Sequence, residues 1–226
     1  MNIFKYCIKA ILFLLVLIVS IIGVRYMLIS HRIRNDIVEV YKYEYVLETL
    51  IIEGTPTIRQ EISCGYASIE WLTSFLGNTV SEEELYQIYE GGIVTSTSRG
   101  FEKELSKRLA DSYSVRRISN VPDSEIIREI HNSLNNGLPV PFSFAAIDDW
   151  NRPNYTLHFS IVTGLDIEND QVLVSNVYGY EEVYSLNDFL ESLKFKNFRN
   201  MPFFIRGGII LGIFERNTVY IIEEVS

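Results

Sequence analysis

The sequence predicts an α+β domain, helices packed on an antiparallel sheet, preceded by one N-terminal transmembrane helix. Three observations predict it. Residues 10–24 are almost wholly apolar. Between residues 64 and 135, apolar residues recur at helical spacing between recognisable caps. From residue 139 onward, β-branched and aromatic runs separated by turn-rich stretches take over. Helices first and strands second is the order of an α+β domain.

The apolar run starts at about Ile8 and continues through Tyr26, Met27, Leu28 and Ile29. That is about the 20 residues a helix needs to cross a bilayer, with Lys9 and Arg25 able to snorkel. A cleaved signal peptide is the rival reading. No small-x-small cleavage site follows the run, so an uncleaved anchor is expected. The chain therefore divides into an anchor at 1–32, a lead-in at 33–54 and a domain at 55–226. Lys5 and Lys9 precede the span, and Arg25, Arg32 and Arg34 follow it. That count favours a cytoplasmic domain. The signal-anchor layout favours export, and a single-pass membrane protein with an extracytoplasmic domain is the expectation adopted.

Residues 38–50 mix charged and aromatic residues without a clean period, and Thr55-Pro56-Thr57 breaks the chain after them. A first helix is expected from 64 to about 76, with Ala67, Ile69, Trp71, Leu72, Phe75 and Leu76 as its apolar positions. Ser63 is its N-cap, and Gly77 lies just past its end. Ser81-Glu82-Glu83-Glu84 is a capping box that opens a second helix to about Tyr89, ended by Gly91-Gly92. Ser98 or a neighbour starts a third, with Phe101, Leu105 and Leu109 on one stripe. Residues 113–118 read as a short strand.

Residues 123–135 read as a fourth helix, with Ile126, Ile127, Ile130 and Leu134 inward and Gly137 closing it. Strands follow at 139–147, 157–165 and 171–178, the last two joined by a turn at 166–170. Ser185 caps a short helix containing Phe189 and Leu190. Residues 208–214 and 219–222 read as a final hairpin turning at 215–218.

The net charge of −9 excludes a general nucleic-acid surface. The two cysteines are Cys7, in or beside the apolar run, and Cys64. The domain can therefore form no internal disulfide and has no cysteine cluster for zinc, and no cofactor is expected. Cys64 would be the first residue of a helix, near the positive end of the macrodipole, which lowers a thiol pKa. The alternative is a small buried hydrophobe. Of three histidines, His31 adjoins the apolar run, His131 is expected to face water, and His158 starts a strong strand. Asn176 lies on the next strand, which a hairpin would bring beside His158. It either orients the imidazole or ends its strand in a turn. Such a set suits nucleophilic attack on an acyl carbon. The Gln60 amide and the Cys64 backbone N–H are candidate donors to the oxyanion, and Gln60 as a solvated loop residue is the alternative.

Taken together, Ser63-Cys64-Gly65-Tyr66-Ala67-Ser68, the capping box, Leu134 to Pro141, His158-Phe159-Ser160-Ile161-Val162-Thr163-Gly164 and Val172-Leu173-Val174-Ser175-Asn176 resemble the papain-like bacteriocin-processing peptidases and their broader relatives. These enzymes cleave after double-glycine leaders. The resemblance covers most of residues 55–195. It implies a papain-like cysteine peptidase fold, a peptide or protein substrate and a triad of Cys64, His158 and Asn176. Two positions depart from the family pattern. The family carries Asp-Pro where this chain has Asn176-Val177, and its oxyanion glutamine lies six residues before the cysteine, where this chain has Ile58; Gln60 is only four before. There is no Walker-type glycine-rich loop, so leader cleavage during export does not follow from the resemblance. An acyltransferase or amidase using the same triad, and an inactive peptide-binding domain at the membrane, are the rival functions.

Overall fold

The computed structural model describes residues 2–33, 36–42, 49–147, 155–196 and 198–225. Arg34 and residues 43–48, on which parts of the charge count and of the lead-in reading fall, lie outside the described residues.

Helix α1 (Asn2–Arg32) leads the chain. Its stretch Lys5–Ile29 is long and apolar enough to cross a membrane by length and composition. A short helix, α2 (Ile37–Val40), and a strand, β1 (Thr49–Ile51), follow. Then come α3 (Cys64–Phe75), α4 (Glu82–Ile88), α5 (Ser98–Leu109), β2 (Tyr113–Ile118) and α6 (Asp123–Asn135). Strands β3 (Val140–Ile147), β4 (Tyr155–Asp166), β5 (Gln171–Asn176) and β6 (Tyr180–Tyr184) come next. The chain closes with α7 (Leu186–Leu193), α8 (Phe203–Leu211) and β7 (Thr218–Glu224).

The sheet runs β2-β7-β3-β4-β5-β6, with β1 pairing on β4, and the pairings are antiparallel. Helices cover both faces. Ile126, Ile127, Ile130 and Leu134 of α6 and Phe189 and Leu190 of α7 share one core with Phe142, Phe144, Val219 and Ile221. Tyr66, Ile69, Trp71 and Leu72 of α3, with Phe101 and Leu105 of α5, share the other with Phe159, Ile161, Tyr220 and Ile222. Adjacent residues of β7 thus enter opposite cores, as the two-residue period of a strand requires.

The caps that delimit these helices are local chemistry. Ser63 is extended, and its hydroxyl accepts the N–H of Tyr66 at 3.1 Å. Both halves of the Ser81–Glu84 capping box are formed. Gly77 and Gly137 adopt the left-handed conformation that ends α3 and α6. The lead-in is tied to the domain: Asp36 accepts the backbone N–H of Ser124 at 3.1 Å and its hydroxyl at 2.6 Å.

Three expectations need correction. The expected hairpin at 208–222 is a helix, α8, followed by one strand, β7. Gly208 lies where the Phe214 ring packs so closely that any side chain would collide with it. Gly208 thus answers to the packing of the helix against Phe214 and not to a strand. His131 is buried rather than facing water. Strand β6, which the sequence reading did not separate, pairs with β5 along its whole length.

Candidate active site

Cys64 opens α3, and α3 is docked to the sheet beside the strand that carries Asn176. The buried indole of Trp71, two turns along α3, donates to the hydroxyl of Ser175 on β5 at 2.9 Å. At the start of the helix, the backbone N–H groups of Cys64 and Gly65 and that of Phe159 on β4 all approach the Cys64 sulfur. The thiol therefore lies against the backbone of the residue that follows His158. Gly65 is required here, since a Cβ would collide with Thr95. The hydroxyl of Tyr66 pins the facing loop by donating to the Gly92 carbonyl at 2.7 Å and accepting the Val94 N–H at 3.1 Å.

The loop leading into Cys64 is gathered by one carboxylate. Glu82, the first residue of α4, accepts the N–H groups of Glu61 at 2.7 Å and Ile62 at 2.9 Å, and also that of Ser63. The second helix thus shapes the entry to the first.

His158 is buried on β4, and its Nε2 lies 3.0 Å from the Asn176 Oδ1. The ring sits between two aromatics. Phe144, its cross-strand partner on β3, meets it edge-on at 5.4 Å, and Tyr178 stacks on it at 4.2 Å. Asn176 ends β5, and Gly179 at φ +95° lets the chain reverse into β6. The reversal returns the Tyr178 N–H to the same Asn176 Oδ1 at 3.0 Å. The Asn176 Nδ2 donates to Glu182 on β6 at 2.7 Å. A carboxylate accepts only, so the nitrogen of the Asn176 amide must face Glu182 and its oxygen must face His158. The imidazole proton then sits on Nε2, and Nδ1 carries the lone pair.

Gln60 lies on the approach to this group. Its N–H donates to the carbonyl of Val177 at 2.7 Å, and Arg59 bridges to Tyr178. The Gln60 Oε1 is buried and has no partner among the described residues. The structure therefore brings His158 and Asn176 into direct contact, sets Cys64 against the neighbouring backbone, and ties Gln60 to the residue after Asn176. Glu182 and Glu82 escaped the sequence reading. Their roles depend on a hairpin register and on the packing of two helices, which no local motif announces.

Burial dominates the electrostatics. It pushes the Cys64 thiol up to about 11, against the lowering effect of the three N–H groups, with the Glu82 carboxylate adding to the rise. Burial likewise pushes His158 down to about 4, although the bond to Asn176 works the other way. The low thiol pKa expected from the helix N-terminus is not found, because desolvation of a thiolate outweighs the dipole at this depth. At neutral pH the resting thiol and imidazole are both uncharged. A cavity of about 650 Å³ opens beyond Asn176 between β3, β6 and α7, and its lining includes Tyr178, Glu182 and Tyr184 but not Cys64.

A helix-borne cysteine near sheet-borne histidine and asparagine holds the residue types that cysteine peptidases use. Comparison with known proteins narrows the class. A sequence model of the Peptidase_C39 like family matches residues 52–201. The chain belongs to that family, and it is a cysteine peptidase with a C39-peptidase-like fold. Among solved structures it is similar to a Bacillus anthracis protein described as a C39-like peptidase. That match has 12% identity, covers 79% of this chain and 98% of that one, and has a TM-score of 0.51. It is also similar to a double glycine motif protease from an AMS/PCAT transporter, solved with its leader peptide (11% identity, 79% and 99% covered, TM-score 0.45). A third is the peptidase domain of Streptococcus ComA, a bi-functional ABC transporter involved in quorum sensing (15% identity, 74% and 96% covered, TM-score 0.44). No curated protein matches the sequence.

Proposed function

We propose that the protein is a membrane-anchored peptidase that cleaves a peptide or protein through Cys64, His158 and Asn176. The observation that carries this reading is the Asn176 Oδ1 held 3.0 Å from His158 Nε2, beside a cysteine at a helix N-terminus. With Nε2 protonated and facing Asn176, Nδ1 is the free base of the ring. It takes the thiol proton as the sulfur attacks the substrate carbonyl. The N–H of Cys64, and the side-chain amide of Gln60 turned inward, receive the oxyanion. His158 then gives its proton to the leaving amine, and an acyl-thioester remains on Cys64. Water, deprotonated by His158, hydrolyses that thioester and releases the acid. Asn176 acts by holding the ring, since an amide is no base.

The apolar Lys5–Ile29 stretch supports α1 as a single-pass anchor, and the signal-anchor layout places the peptidase on the extracytoplasmic side in this reading. A peptide-like electrophile tests the site. It labels Cys64 in the parent protein and fails to label it after His158→Ala if the reading is right. Equal labelling of both removes His158 from the mechanism.

A further inference from the structure

We propose that the outward face of α8 rests on the lipid bilayer beside α1, giving the protein a second membrane contact. The proposal rests on α1 as the membrane span, as argued above.

Helix α8 has nine residues, Phe-Phe-Ile-Arg-Gly-Gly-Ile-Ile-Leu, and is apolar on both sides. Its inner face is accounted for. Ile205 and Ile209 are buried against Ala145, Phe195 and Met201. The outer face is not. At 3.6 residues per turn, Phe203, Phe204, Gly207, Ile210 and Leu211 fall within an arc of about 120°. Phe203 is 81% exposed, Phe204 70% and Leu211 54%, and Ile213 just past the helix is 46% exposed. Single exposed apolar residues are ordinary, but a contiguous patch containing two phenylalanines marks a contact surface.

The position of α8 identifies the occupant. Its C-terminal end abuts the last part of the apolar span. Ile209, Ile210 and Gly212 enclose a small cleft together with Arg25, Tyr26 and Ile29 of α1. Gly212 lies against the Arg25 guanidinium, 2.6 Å from where a Cβ would stand. The Arg216 guanidinium lies 5.2 Å over the Tyr26 ring. Arginine and tyrosine at the end of a span belong at the level of the lipid headgroups. A helix fixed to those residues is held at that level, and Ile210, which belongs to its outer arc, lines the cleft with Tyr26 and Ile29 of α1. The adjoining cleft, lined by Tyr26 with Lys196, Arg199, Arg216 and Glu191, is basic on balance even though Glu191 pairs with Lys196 at 3.0 Å, in a chain whose net charge is −9. Aromatic residues on one face with basic groups at the rim suit an interfacial helix on an anionic membrane.

Tryptophan quenching by acyl-chain-brominated lipid tests this in the full chain, reconstituted in phosphatidylcholine–phosphatidylglycerol vesicles. The parent, with Trp71 and Trp150, supplies the background. Phe204→Trp reports on α8, Leu15→Trp on the middle of α1, and Ile88→Trp on the exposed side of α4. The added emission of Phe204→Trp and Leu15→Trp should be blue-shifted and mostly lost in brominated vesicles, while that of Ile88→Trp should be retained. Quenching of Leu15→Trp without quenching of Phe204→Trp overturns the docking of α8 and leaves the anchor standing. Blue-shifted but unquenched emission from Phe204→Trp that grows with protein density assigns the face to a second copy and also overturns the proposal. No quenching of Leu15→Trp overturns the anchor itself, and equal quenching at all three positions removes any special role for α8.

Discussion

Glu182 holds the side-chain amide of Asn176 from behind. The Asn176 Nδ2 donates to a Glu182 carboxylate oxygen at 2.7 Å, and the same oxygen receives the Tyr184 hydroxyl at 2.8 Å. The two residues are diagonal neighbours on the β5–β6 hairpin, where Asn176 pairs with Tyr180 and Glu182 with Val174. The family pattern alone would allow aspartate at position 176, and this contact argues against it. In Asn176→Asp two carboxylates would meet at hydrogen-bond distance, where both cannot stay ionised. The ring would lose its fixed acceptor, so kcat/KM on a cleaved peptide should fall about tenfold or more, equivalent to at least about 1.4 kcal/mol of barrier. Adding Glu182→Gln should restore most of the loss, since the glutamine amide can donate to the new carboxylate. Full activity of Asn176→Asp alone would show that Glu182 does not set the orientation.

The pH dependence of thiol reactivity follows from the desolvation that raises the half-buried Cys64 thiol. In a Cys7→Ser background, carbamidomethylation of Cys64 should be slow at neutral pH and should keep rising as pH passes 9 toward about 11. A rate that levels off below pH 8 would mean a thiolate already formed at rest. Cys64→Ala should abolish acyl-enzyme formation without changing the fold.

Stability should depend on pH through His158. The unfolded chain protonates this histidine near its ordinary value of 6.5, whereas the folded protein resists until about 4. Between those values the unfolded state binds more protons, so stability falls as pH is lowered through that window and is level in this respect above 6.5. The full effect is on the order of 3 kcal/mol. Denaturant titrations of the reconstituted protein at several pH values should show it, and His158→Leu should flatten the slope.

Gln60 should matter to turnover more than to binding. Gln60→Ala removes a side chain on the approach to Cys64 whose buried oxygen has no partner among the described residues. If the amide receives the oxyanion, kcat should fall on the order of 100-fold with KM little changed. A change confined to KM would return Gln60 to the role of substrate-contacting loop residue.

Glu82→Gln should loosen the entry to the cysteine helix. The carboxylate takes three backbone N–H groups, and an amide would turn a donor toward some of them. A loss of about 2 kcal/mol is expected from the donors left unpaired. Unfolding midpoints measure it, and an unchanged midpoint would mean that solvent replaces the carboxylate.

Much of the frame was legible because its signals are local. Ser63 and the Ser81–Glu84 box cap the helices they were expected to cap, and the bounds of β2 and α6 match the sequence reading. The polar, edge-lying β6 was not separable, because Tyr-Glu-Glu-Val-Tyr shows no buried face of its own. Its register creates the Glu182–Asn176 contact, so that contact was out of reach as well. Helix α8 was not legible because Ile209, Ile210 and Ile213 are β-branched and suit a strand, whereas Gly208 answers to the distant Phe214 ring. The thiol pKa was misjudged for a related reason. A helix terminus is visible in sequence, but the desolvation of the sulfur against the Phe159 backbone is a tertiary fact.

The bonds from Asp36 to Ser124 begin the domain only four positions after Arg32, the last residue of α1. Four residues span at most about 14 Å even when fully extended. With α1 in a bilayer, such a leash turns the anchor into a ruler. It keeps the peptidase hugging the surface and fixes the height at which it can cut. A scissile bond would then be chosen by its distance from the membrane as well as by its side chains, and a substrate tethered in the same bilayer would meet the enzyme in two dimensions instead of three.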